Sequence, residues 1–131
     1  MAINAAKLQA SLQQFVANAS NVQGAAIVSP DGLALATSLP GGMDEERVAA
    51  MSAAMLSLGE RIGRELSRGK IDRILVEGDH GYGILTSCTD DAVLLVLADQ
   101  GAKLGIINLE IKNVMPELQR QLGGTAQPLS I

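Results

Sequence analysis

Residues 44–68 read DEERVAAMSAAMLSLGERIGRELSR, and this stretch decides the fold. Asp44 stands where a side-chain oxygen can cap a helix, with Glu45 and Glu46 where the helix dipole favours negative charge. Arg64 and Arg68 lie near the other end, where it favours positive charge, and Gly69 is placed to terminate the helix. Val48, Met51, Met55, Leu58, Ile62 and Leu66 recur at helical spacing and form one apolar stripe. Ala49, Ser52, Leu56, Gly59 and Gly63 fall beside that stripe at ~100° per residue. The apolar or small arc therefore covers close to half the helix. A helix covering a single sheet needs less, so the width predicts a second packing partner.

Upstream, Leu39, Pro40, Gly41 and Gly42 break the pattern. Residues 33–38 and 24–29 are short apolar runs predicted as strands. Ser29, Pro30, Asp31 and Gly32 join them, because Pro presets φ for a turn and Gly tolerates positive φ. Residues 3–19 carry Leu8, Leu12, Phe15, Val16 and Ala19 on one face and predict an amphipathic helix. Downstream, residues 71–77, 82–88 and 92–98 predict three strands separated by short turns at 79–81 and 89–91, which favour antiparallel hairpins. The third is continuously apolar, as for a central strand covered on both faces. A last helix begins near Lys103 with Leu104, Ile107, Ile111, Val114, Leu118 and Leu122 on its face; Pro116 is expected to kink it or to start a new turn.

The order is αββαβββα. It predicts an α/β (α+β) domain over residues 1–122, with a flexible tail over 123–131. Five mostly antiparallel strands carry helices on both faces. The long helix links the first hairpin to the three-stranded meander and must cross one face; the first and last helices cover the other.

The chain has 131 residues, enough for one domain with its own core. It contains one Phe, one Tyr and no Trp, and carries a net charge of −4. Few aromatics to stack on bases and the wrong sign for a phosphate backbone both oppose nucleic-acid binding. A lone cysteine, Cys88, cannot form an intrachain disulfide and fits a reducing compartment. No signal-peptide pattern opens the sequence and no apolar run approaches the ~20 residues of a membrane span. A cytoplasmic protein is expected.

No catalytic set emerges, no metal site, and no cofactor is called for. The phosphate-loop pattern is missing, and Gly81-Tyr-Gly83 lacks the third glycine of a dinucleotide fingerprint. One Cys and one His cannot build a Cys/His zinc site. His80 reads as a solvated turn residue against a proton-transfer role, and Cys88 as a buried inert thiol against a nucleophile. Asp90 and Asp91 read as turn residues against a cation contact, and Tyr82 as a packed strand residue against a cofactor contact. Arg61, Arg64, Arg68 and Arg73 cluster around the long helix's end. They make either a dipole-matched solvated face or an electropositive rim for an acidic partner surface or a phosphate.

The run from Gly24 to Thr37, the hairpin stretch from Ile74 to Leu85 with its Val76-Glu-Gly-Asp-His-Gly-Tyr82 motif, and the stretch from Asp91 to Asp99 followed by Ala102-Lys-Leu-Gly105 together resemble the roadblock/dynein light-chain family. The likeness is to its bacterial MglB-like group in particular. It spans about residues 3–122. It implies a fold similar to profilin and longin domains, and a homodimer formed through the long middle helix and the third strand. Ala49, Ser52, Ala53, Leu56 and Glu60 would then face the partner helix, with Ile71, Arg73 and Leu75 on the pairing strand. It further implies a non-catalytic regulator or scaffold of a Ras-like small GTPase, acting by holding switch regions in one state. An alternative is a small-molecule-sensing profilin-like binding module, with a ligand approaching the Gly81–Gly83 turn. An enzyme using His80 and Cys88 is a third reading.

Overall fold

A computed structural model describes residues 3–123. Eight elements follow one another: α1 (Ala5–Asn18), β1 (Val22–Val28), β2 (Ala34–Ser38), α2 (Glu45–Glu65), β3 (Arg73–Gly78), β4 (Gly81–Thr89), β5 (Ala92–Asp99) and α3 (Leu104–Gln121). The αββαβββα order is as the sequence predicts. The expected tail lies, beyond Gly123, outside the described residues.

The strands form one antiparallel sheet in the order β2-β1-β5-β4-β3. The continuously apolar strand is its centre. Val93, Leu94, Leu95 and Val96 are all buried, so both faces of β5 are covered. On one face α1 and α3 bring Leu8, Leu12, Phe15, Ile107, Ile111 and Leu118 against Ala25, Ile27, Ile84, Leu94 and Val96. On the other α2 brings Ala49, with Val48, Met55 and Leu56, against Ala26, Val28, Leu85, Val93 and Leu95.

The turns are built as their residues dictate. Ser29 closes the β1–β2 connection by accepting from the Gly32 N–H (3.0 Å) and donating its own N–H to the Leu33 carbonyl (2.8 Å), with Gly32 at φ +92°. Asp79 and His80 alone separate β3 from β4. Gly81 follows at φ +141°, pressed against the Ala98 carbonyl where a Cβ has no room.

Asp44 caps α2, accepting from the N–H groups of Glu46 (3.0 Å) and Arg47 (3.2 Å). The helix stops at Glu65, short of the Gly69 terminator the sequence suggests. Ser67 adopts the left-handed conformation (φ 55°), and the Arg68 N–H returns to the Gly63 carbonyl at 2.8 Å in a Schellman closure. Helix α3 runs unbroken through Pro116, so no new turn starts there. The carbonyl that Pro116 leaves without a donor belongs to Lys112, an exposed residue.

Candidate protein-binding interface

Helix α2 packs on the sheet through its small residues. Ala49, Ser52 and Gly63 are buried, and Leu56 and Gly59 are half-buried. A Cβ on Gly63 would sit 2.6 Å from Ile71 Cδ1 and 2.8 Å from the Gly69 carbonyl oxygen; one on Gly59 would overlap Ile74 Cδ1. This close approach turns the large side chains outward. Met51 is 57% exposed, Leu58 58%, Ile62 47% and Leu66 60%, with Val48 and Met55 half-buried at the stripe's inner margin.

Within the wide arc, Ala49 and Ser52 are buried, whereas Met51, Leu58, Ile62 and Leu66 of the stripe are exposed. Of the residues expected to face a partner helix, Ala49 is covered by the chain's own sheet and Ser52 is buried. Leu56 joins the same core, and Ala53 is half-buried beside the Gly32 turn. Only Glu60 of that set is exposed. The outward residues Met51, Leu58, Ile62 and Leu66 were legible as a stripe. The signal that assigns its direction is the Gly59–Gly63 spacing, which marks where backbone meets sheet.

The C-terminal half of α2 passes over β3, since Gly59 meets Ile74. Strand β3 is one edge of the sheet, and none of its six residues is fully buried. Leu75 and Val76 are each 45% exposed. Arg73 and Leu75 lie on this strand as expected. Ile71 does not: it precedes β3 and is tucked under Gly63.

In an antiparallel hairpin with a two-residue loop, the closing pair exchanges backbone hydrogen bonds and the pairs then alternate. Gly78 and Gly81 close this hairpin, so Ile74 and Val76 bond to β4. Arg73, Leu75 and Glu77 point their N–H and C=O groups to the open edge.

The opposite edge is treated differently. The Gln9 side chain, from α1, donates to the Thr37 carbonyl (2.6 Å) and accepts from the Thr37 N–H (3.1 Å). Its amide occupies the position of a neighbouring strand's peptide group. Pro40 follows within two residues of the strand's end. Edge β2 is thus blocked at Thr37, and among the described residues no side chain bonds the edge backbone of β3 in this way.

Arg61 and Arg64 are exposed on α2. Arg68 lies past the helix end, where its Nε donates to the Leu66 carbonyl at 2.9 Å. Among the described residues the one ion pair within 4 Å is Arg73–Asp72, long at 3.9 Å and exposed. His80 is exposed in its turn, and Tyr82 packs against the α1–α3 core. Asp90 and Asp91 lie in the β4–β5 turn, where the Asp91 N–H donates to Thr89 Oγ1. Cys88 is buried, and burial pushes its thiol up to about 12.

An open groove of about 740 Å³ lies between α2 and the β4–β5 turn, lined in part by Leu56, Glu60, Lys70 and Val93. A second, of about 520 Å³, lies between α1 and α3. The Gly81–Gly83 turn, the expected ligand approach, lines neither. Among the described residues no three His, Cys, Asp or Glu side chains come together to hold a metal, and no helix is long and apolar enough to cross a membrane.

A family model described as the Roadblock/LC7 domain matches residues 8–98. An uncharacterized protein of Methanocaldococcus jannaschii is 32% identical over 98 residues, covering 75% of this chain and 85% of its own length. A Roadblock/LC7 domain structure from Streptomyces avermitilis superposes with a TM-score of 0.81 at 20% identity, over 88% of this chain and 97% of that one. Myxococcus xanthus MglB also gives 0.81 at 20% identity, over 88% and 87%. Acanthamoeba castellanii profilin IB gives 0.62 at 16%, over 88% and 97%.

Proposed function

This chain belongs to the Roadblock/LC7 domain family, and from that premise we propose that it is a homodimeric, non-catalytic regulator or scaffold of a Ras-like small GTPase. The observation that carries the proposal is the apolar stripe Met51, Leu58, Ile62 and Leu66, exposed on the helix that passes over an open sheet edge. Contiguous apolar surface next to unpaired backbone groups marks a place for another polypeptide. A two-fold axis beside β3 would bring the two α2 stripes side by side and continue the sheet from one subunit into the other.

The dimer would present a surface on which Arg61 and Arg64 supply positive charge to an acidic partner. A GTPase held there would be biased toward one switch conformation by differential affinity alone, which asks for no reactive side chain. The raised, buried Cys88 thiol and the exposed turn position of His80 suit such a role.

Light scattering on the purified protein and on Leu58→Glu tests the dimer. The wild type should be a dimer, and the variant a folded monomer. Pull-downs with Ras-like GTPases of the same genome, loaded with GDP or a GTP analogue, test the partner. Nucleotide-dependent capture by the wild type is expected. Absence of capture for every GTPase in both states would remove the GTPase reading while leaving the dimer intact.

A further inference from the structure

We propose that the chain dimerises in one register, with Leu75 on the two-fold axis and Arg73 of each copy opposite Glu77 of the other. This rests on the homodimer reading above and adds to it which residues meet.

Residues 73–77 read Arg-Ile-Leu-Val-Glu: a positive end, three apolar residues and a negative end. Such a segment complements itself when turned end over end. Arg73, Leu75 and Glu77 are also the residues whose backbone groups face the open edge, by the alternation from the Gly78–Gly81 closing pair. Placing two copies antiparallel about Leu75 makes Arg73–Glu77, Leu75–Leu75 and Glu77–Arg73 the hydrogen-bonded pairs. Charge, hydropathy and hydrogen-bond phase then agree. On the α2 face, Ile74 of each copy meets Val76 of the other, so the apolar pairs also match.

The alternatives each lose something. A parallel pairing in register sets Arg73 against Arg73 and Glu77 against Glu77. A one-residue slip puts outward-facing backbone groups opposite inward-facing ones and exchanges the faces of the side chains. A slip of two residues in one direction leaves Arg73 opposite Leu75 and carries Glu77 opposite Ile71, which lies outside the strand under Gly63. In the other direction Glu77 meets Leu75, and Arg73 meets Asp79, which lies in the turn. Pairing about a two-fold axis uses the same edge of both copies, so it closes as a dimer.

The test uses two charge reversals, Arg73→Glu and Glu77→Arg. Both side chains are exposed, so the monomer core is undisturbed. Alone, each variant has like charges opposed at both ends of the seam, and its dimer should weaken by roughly ten-fold or more. Mixed one to one, the variants present two glutamates on one chain and two arginines on the other. The mixture should form heterodimers of near wild-type affinity, read by native mass spectrometry with one chain carrying a size tag. The chain bearing both reversals should dimerise with itself again. Single variants that dimerise as tightly as wild type, with random exchange in the mixture, would overturn the register and leave the dimer standing. A wild type that stays monomeric at every concentration would overturn both.

Discussion

Cys88 sits at the end of β4, 5% exposed among the residues that α1 and α3 cover. Its sulfur has lost water without gaining a positive neighbour, and burial raises its pKa from 9.0 to about 12. The unfolded chain releases this proton near the ordinary value, whereas the folded chain keeps it until about 12. The group's contribution to stability is thus complete below about pH 9 and declines as pH rises toward about 12. Urea unfolding at about pH 8 and about pH 10.5 should show wild type losing about 2 kcal/mol more than Cys88→Ala across that interval. An equal loss in both proteins would place the thiol in contact with water. The residue's burial was legible from its place at a strand end. The Ser67 helix stop was not, because nothing in the sequence favours serine over the nearby Gly69 for a left-handed conformation.

Helix α2 shows what periodicity carries and what it leaves out. The spacing of its apolar residues gave the element, its cap and the excess width of its arc. Which half of the arc meets the sheet depends on side-chain volume, since the line with glycines can approach backbone and the line with leucines cannot. At Gly63 the helix meets backbone, that of the segment between α2 and β3. Gly63→Ala gains up to about 1 kcal/mol of helix propensity. Its methyl group would nevertheless lie 2.8 Å from the Gly69 carbonyl oxygen, which belongs to backbone and cannot rotate away. The helix must shift, at a cost of about 1–3 kcal/mol, so a net loss of melting temperature is expected. Gly105→Ala in α3, where a Cβ meets nothing within 4 Å, should cost no stability. Equal behaviour of the two variants in thermal melts would mean that α2 rides higher on the sheet than its glycines indicate.

At the scale of the whole molecule, the sheet has two unlike edges, and that asymmetry was hidden from the sequence. Topology puts β2 and β3 at the margins, but the Gln9 contact that closes one of them spans 28 residues of chain and depends on how α1 lies. The open edge makes a residue-by-residue prediction for amide hydrogen exchange. The N–H groups of Ile74 and Val76 point to β4 and should be protected at any protein concentration. Those of Arg73, Leu75 and Glu77 point outward and should exchange rapidly in dilute monomer. They should become protected together as concentration rises and the second copy supplies carbonyl partners. Thr37, on the other margin, should be protected throughout because Gln9 already holds its N–H. A dimer built from the α2 stripes alone would leave the three odd-numbered β3 amides fast at high concentration, and Leu58→Glu would leave them fast in every sample. Protection that alternates along β3 in dilute protein and becomes continuous when the protein is concentrated is the signature of a sheet continued through β3.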